Sequence, residues 1–254
     1  MDKRIGAQLY TVRDYTQTLE DFENTIKKVR DIGYKSVQLS AIGNFEASKI
    51  KEICDKYGVI PACTHRSWQE YTENIDWSID FHKALGCKIA GLGSYPNIWG
   101  GIEKEDMIKS VEIMNDIYDK FSANGMTFAY HNHHIEFMKI DGQFIMDYFL
   151  EKGKFDFIVD VYWLAYAGIN PADYIRKMGK RATVIHFKDM NIIPGEKSHQ
   201  MAEVMEGNLD WDSIIKASKE AGAEWAMVEQ DICQRDPFES LAISYNNLKT
   251  KGFI

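Results

Sequence analysis

Three of the chain's seven histidines crowd into one short segment, Tyr130-His131-Asn132-His133-His134, and Glu136 follows two residues on. Farther along, Val159-Asp160-Val161, Val184-Ile185-His186-Phe187-Lys188 and Val228-Glu229-Gln230-Asp231 each place a titratable residue at or near the end of an apolar run. Neutral imidazoles and carboxylates are ligands for Zn, Mn, Fe or Co, while Mg relies more on oxygen. Two histidines with two carboxylates would hold one divalent ion and leave room for substrate oxygens. His131 and His133 share one side of an extended segment, so either could be the ligand, and His186 shares a side with Lys188. Taken singly, a strand-end Asp is usually a helix cap or turn former, and a buried His usually a hydrogen-bonded core residue. Four chemically matched ends in succession are what favour a metal centre. Cys54, Cys63, Cys87 and Cys233 form no CxxC pair and read as free thiols, although Cys233 lies near Glu229 as a soft donor.

Those ends need a frame that brings them together. Apolar, β-branched runs of strand length occur at Ile5–Leu9, Ser36–Leu39, Val59–Thr64, Lys88–Leu92, Met126–Tyr130, Phe155–Val159, Thr183–Phe187 and Trp225–Val228. Helical spacing separates them. Leu19, Phe22, Ile26 and Val29 mark a helix over Thr18–Asp31. Met107, Val111, Met114, Ile117 and Phe121 mark another over Asp106–Phe121, and Asp210–Ala221 opens on a capping Asp. Gly33, Gly58, Gly86, Gly125 and Gly222 each stand between a helix and the next strand, where a left-handed turn suits glycine. Eight strand–helix beats in 254 residues match an α/β fold, a single (β/α)8 TIM barrel over residues 1–254. A doubly wound sheet is the rival, but no glycine-rich phosphate loop follows the first strand. In a barrel the C-terminal strand ends share one mouth, so strands five to eight would aim His131 or His133, Asp160, His186 and Glu229 at a common point. His65 ends strand three at the same mouth, and Tyr10, Trp68, Trp99 and Trp163 fall in loops there, where they could form walls for a sugar or simply pack. The turn Gly207-Asn208-Leu209-Asp210-Trp211 could offer amides to an anion, although an ordinary capped helix start is the simpler reading.

Composition narrows the function classes. A formal net charge of -8 argues against a nucleic-acid partner. No apolar run reaches the ~18 residues of a membrane span, and no signal-peptide pattern opens the chain, so a cytoplasmic location is expected. Aromatics at 13% can fill a core or line a ligand pocket.

The chain resembles the sugar phosphate isomerase/epimerase superfamily, the xylose-isomerase-like TIM barrels. The resemblance lies in Gly6-Ala7-Gln8-Leu9-Tyr10-Thr11-Val12-Arg13-Asp14, Tyr130-His131-Asn132-His133-His134-Ile135-Glu136-Phe137, Asp160-Val161-Tyr162-Trp163, Ala167-Gly168-Ile169-Asn170-Pro171, His186-Phe187-Lys188-Asp189, Glu206-Gly207-Asn208-Leu209-Asp210-Trp211 and the run from Ala221 to Asp231. It implies one divalent ion (Mn, Zn, Co or Mg) held by Asp160, His186 and Glu229. The fourth ligand, a Glu in the family, is His131 here, and Gln38 stands where many relatives carry Glu. The two-glutamate acid–base mechanism of the epimerases therefore retains only Glu229. Glu136, Lys188 or His133 would supply the second proton-transfer group, with His65, His133, Trp163 and Tyr10 contacting substrate. The expected activity is isomerisation or epimerisation of a sugar or keto-sugar through an ene-diolate. Elimination of a β-leaving group from a keto-sugar or inosose-like substrate is the runner-up, and metal-dependent hydrolysis or sugar binding without catalysis follow. The resemblance also implies a homo-oligomer.

Overall fold

Local signals decide where each element starts and stops. Thr18 caps the helix Leu19–Ile32 by accepting from the Asp21 amide, and Asp210 caps Trp211–Ala221 by accepting from the Ser213 amide. Gly58, Gly86 and Gly222 end their helices with left-handed φ values of 63°, 69° and 79°, which suit glycine and strain other residues. The computed structural model describes residues 4–96 and 98–254.

Eight strands follow these turns: β1 (Gly6–Gln8), β2 (Ser36–Leu39), β3 (Ile60–Thr64), β4 (Ile89–Leu92), β5 (Thr127–His131), β6 (Asp156–Asp160), β7 (Ala182–Phe187) and β8 (Trp225–Val228). They pair in parallel in the order β3-β2-β1-β8-β7-β6-β5-β4. A parallel bridge between Arg66 and Leu92, with the Arg66 amide 2.9 Å from the Gly91 carbonyl, closes the ring. A closed ring has no switch point, so the doubly wound alternative is excluded. Strands β5 and β6 each run one residue past the boundary expected from sequence, which makes His131 and Asp160 the last residues of their strands.

Alternation along the strands sorts the side chains. Phe128, Tyr130, Phe157, Ile185, Phe187 and Val228 point outward into the apolar layer under the helices. Ala62, Cys63, Ile89, Ala129, Ile158, Val184 and Met227 form a separate apolar cluster inside the barrel. Two residues beyond four of these plugs stand His131, Asp160, His186 and Glu229, all buried. The pleat thus converts an apolar floor into a polar layer one step nearer the mouth.

Extra elements crowd the same end. Leu9–Tyr15 forms a 3-10 turn after β1, Trp68–Glu73 and Val161–Tyr166 are short helices after β3 and β6, and Asp189–Ile192 pairs with His199–Ala202 as an antiparallel ribbon. No described helix is long and apolar enough to cross a membrane.

Candidate active site

One donor atom from each of His131, Asp160, His186 and Glu229 lies within 4.8 Å of all the others. The orientation of the two rings is set from behind. His131 Nδ1 is 3.1 Å from the Gly93 carbonyl, and His186 Nε2 is 2.7 Å from Gln38 Oε1. The Gly93 carbonyl and the Gln38 Oε1, as oriented, accept, so each remote nitrogen carries the proton and each inward nitrogen carries a lone pair when the ring is neutral. His131 Nε2 then faces Asp160 Oδ2 at 3.4 Å. His186 Nδ1 lies 2.9 Å from Glu229 Oε2 and 3.8 Å from Asp160 Oδ2, yet makes no hydrogen bond. Lone pairs aimed at carboxylate oxygens repel unless a cation or proton lies between them. In the protein alone, His186 takes up that proton. Burial disfavours its charged form, but Glu229 and Asp160 outweigh burial and carry it up to about 9.

Lys188, on the same side of β7 as His186, is 1% exposed. Its Nζ lies 2.8 Å from both Asp231 oxygens, 3.4 Å from Glu229 and 3.5 Å from Asp160. Burial opposes the ammonium, but Glu229, Asp160 and Asp231 together keep it charged. Burial also opposes the Glu229 carboxylate, and Lys188 and His186 overcome that and hold it well below the usual range. Asp160 is depressed in the same way by Lys188 and its histidine contacts. Gln8 Nε2 donates to Glu229 Oε1 at 2.8 Å. Three carboxylates against one ammonium leave the cluster two charges negative with neutral imidazoles. A divalent cation would balance that charge, and two nitrogen and two oxygen donors fit it. The donor set therefore suits a metal.

Above this layer opens a cavity of about 480 Å³, within the range of small-molecule sites. Tyr10, His65, His133, Trp163, Lys188 and Glu229 line it, as do Trp68, Trp99 and Asp231. His65 Nε2 and His133 Nδ1 are buried without hydrogen-bond partners, and burial pushes both rings well below the ordinary histidine range. Glu136 is placed differently from expectation. It lies behind His133 and outside the cavity, accepting from Tyr130 Oη at 2.6 Å and from the His133 amide at 2.8 Å. Its carboxyl, pushed up by burial to about 7, sits 3.9 Å from His133 Nδ1. Glu136 thus holds His133 and is screened from any ligand in the cavity.

Asp189 turns away from Lys188. It accepts from the amides of Met205, Gly207 and Leu209 and from the Trp211 indole. Those amides are therefore not free for an anion, and the turn before Trp211 is a capped helix start. Asp231 and Gln8 were not singled out from the sequence, and Gln38 only as a departure from the family pattern. Asp231 carries a detectable signal, since it stands two residues past Glu229 just as Lys188 stands two past His186. The Gln8 and Gln38 contacts span separations of 221 and 148 residues and leave no local trace.

The model of the xylose isomerase-like TIM barrel family matches residues 26–242, most of the chain. The chain belongs to this family. Among solved structures, this xylose isomerase-like barrel is similar to a sugar phosphate isomerase/epimerase from Parabacteroides distasonis, with a TM-score of 0.79 at 23% identity over 100% of this chain and 96% of that one. The probable 3-DHS dehydratase AsbF of Bacillus anthracis gives 0.76 at 11% identity over 98% and 99% of the two chains. A D-allulose 3-epimerase from Methylomonas sp. gives 0.73 at 14% over 98% and 97%. At these identities the likeness concerns the fold. No curated protein matches the chain.

Proposed function

We propose that this barrel is an enzyme, a divalent-metal-dependent isomerase or epimerase acting on a sugar or keto-sugar through an ene-diolate. The observation that carries the reading is the pair of histidines whose remote N–H groups are committed to Gly93 and Gln38 while their inward nitrogens meet Asp160 and Glu229. His131, Asp160, His186 and Glu229 would hold the ion, and the mixed N/O set favours Mn, Zn or Co over Mg. When bound, a divalent cation polarises a carbonyl oxygen and acidifies the neighbouring C–H. Sugar isomerases and epimerases among the fold neighbours support the choice of substrate class.

The chain's own residues then divide the work. Glu229 stands ionised at the cavity floor, steadied by Gln8 and Lys188, as the acceptor for a substrate proton. Lys188 stays an ammonium and fixes the carboxylates around it. His65, and His133 whose amide is held by Glu136, line the cavity as neutral rings, where either can bind a hydroxyl or return a proton. Tyr10 and Trp163 offer ring faces to the C–H side of a sugar.

Elimination is the second reading. Its support is that cavity-facing imidazoles accompany Glu229 where relatives use a second carboxylate, and an imidazole can hand a proton to a departing oxygen. A dehydratase shares the fold.

The test is metal analysis of the purified protein by mass spectrometry, followed by NMR of solvent deuterium entering the carbon beside a sugar carbonyl. Bound divalent metal and exchange are expected, with Glu229→Gln slowing exchange by about 10²–10⁴-fold. Undiminished exchange in that variant would remove Glu229 as the base. A protein that takes up no divalent metal would end the metal reading.

A further inference from the structure

The aromatic lining does not stop at the cavity. Trp99 and Trp163 line it, and both reach His134 just outside, with ring centroids 5.8 and 5.1 Å away. Tyr166 continues the row, 4.9 Å from His134 and 5.5 Å from Trp163, and His199 lies 5.7 Å beyond Tyr166. These rings stay open to solvent. Trp99 is 54% and Tyr166 45% exposed, and His199 is exposed as well. An apolar row that begins inside a ligand cavity and runs one ring farther out needs a ligand of the same shape.

Charge selects among extended ligands. Among the described residues, the cations lining the cavity are Arg66 and Lys188. Lys188 is bound by three carboxylates, and Arg66 is paired with Glu70 and lies over the Phe81 ring at 4.6 Å. Neither is left to neutralise a phosphoryl group, and Asp231 and Glu229 face the same space. A neutral ring carried on the sugar matches both the aromatic row and this charge balance.

We infer that the substrate is a glycoside whose first ring sits in the cavity and whose second, glycosidically linked ring stacks on the Trp99–His134–Tyr166 row outside it. The inference rests on the sugar reading above and extends it to substrate class. The second ring is a further sugar or an aryl aglycone, since either can lay a face on one ring of the row, whose neighbours are tilted by 51° and 59° and meet its edges.

The experiment is calorimetric titration of the Mn-supplemented protein with a panel of hexoses, their phosphates, their disaccharides and their p-nitrophenyl glycosides. In at least one set a glycoside is expected to bind about tenfold more tightly than its parent hexose, the gain of a good ring contact. The disaccharide and aryl arms decide which second ring is preferred. Tyr166→Ala should erase the gain and leave hexose affinity unchanged. Hexose binding with no gain for any glycoside, or tighter binding of a hexose phosphate, overturns this inference alone. Failure of every sugar to bind overturns it together with the sugar reading. If Tyr166→Ala instead turns an oligomer into a monomer, the row is a subunit interface and the inference falls.

Discussion

Gln38 decides which nitrogen of His186 faces the carboxylates. Its Oε1 accepts from Nε2 at 2.7 Å deep in the barrel, so the inward Nδ1 is the lone-pair nitrogen. Removing the acceptor while keeping the volume frees the ring to turn or change tautomer. Gln38→Leu should therefore weaken divalent-metal affinity by about 10–100-fold, the usual effect of losing a partner behind a ligand. Competition against a calibrated chelator measures it, and affinity within twofold of the parent would show that Gln38 does not orient the ligand. Glu136 plays a comparable supporting part for His133. Its carboxyl lies 3.9 Å from the ring's Nδ1 and accepts from the backbone amide, so it bears on the ring from behind.

At the scale of elements, the seam between β3 and β4 is a tight junction. A Cβ on Gly91 would stand 2.2 Å from the Thr64 carbonyl and 2.6 Å from Ile158 Cδ1, so the backbone itself would have to move. The Gly91 carbonyl also accepts from the Arg66 amide and from Tyr71 Oη, both at 2.9 Å. Gly91→Ala should destabilise the fold by about 1–3 kcal/mol or more through overpacking, read as a lower urea midpoint. Gly91 has an ordinary negative or extended φ, so the clash with Thr64 and Ile158 is the whole of the expected cost. An unchanged midpoint for Gly91→Ala would mean that the ring closes without this contact. The same scale shows what the sequence could reveal. Strand and helix identity came from periodicity, and the place of Asp160, His186 and Glu229 at or near strand ends came with it, because both are local. The ribbon after β7 and the short helices after β3 and β6 escaped, since their apolar patterns are too brief to stand out. So did the partners Gln8 and Asp231, whose roles exist only once the ring is closed.

The loop at the mouth depends on one buried acid. Asp189 accepts from four amides, those of Met190, Met205, Gly207 and Leu209, and from the Trp211 indole, and the close approach of Gly207 is part of that arrangement, because a Cβ there would lie 2.4 Å from Asp189 Oδ1. Asp189→Ala leaves those donors, the buried Trp211 indole among them, without their partner in a half-buried turn. Each such loss costs about 1–3 kcal/mol, so a drop of several degrees in Tm is expected, with the metal ligands themselves untouched. Metal affinity within threefold of the parent, together with lower Tm, separates a loop-holding role from one in the metal layer. A Tm equal to the parent's would show that the turn keeps its shape without Asp189.

For the whole molecule, the buried cluster ties stability to pH and metal together. In the metal-free protein His186 is raised from 6.5 to about 9, so folding favours its protonated form. That contribution, of the order of a few kcal/mol, is complete below pH 6.5 and disappears as pH rises through about 9. Asp160 and Glu229 act at the other end. Their carboxyls are held below the ordinary values of 3.8 and 4.5, so their contribution is present above those values and is lost as pH falls through the depressed range. A divalent ion that binds His186 Nδ1 must displace its proton below pH 9, so its affinity should rise by about tenfold per pH unit between 6.5 and 9 and then level off. Because a ligand that prefers the folded state stabilises by mass action, the gap in Tm between Mn-loaded and chelator-treated protein should widen steadily across that window. The metal-free Tm itself should decline over the same range. Differential scanning calorimetry at closely spaced pH values tests both slopes, and a constant gap from pH 6.5 to 9 would mean that the ion and the His186 proton do not compete for one place.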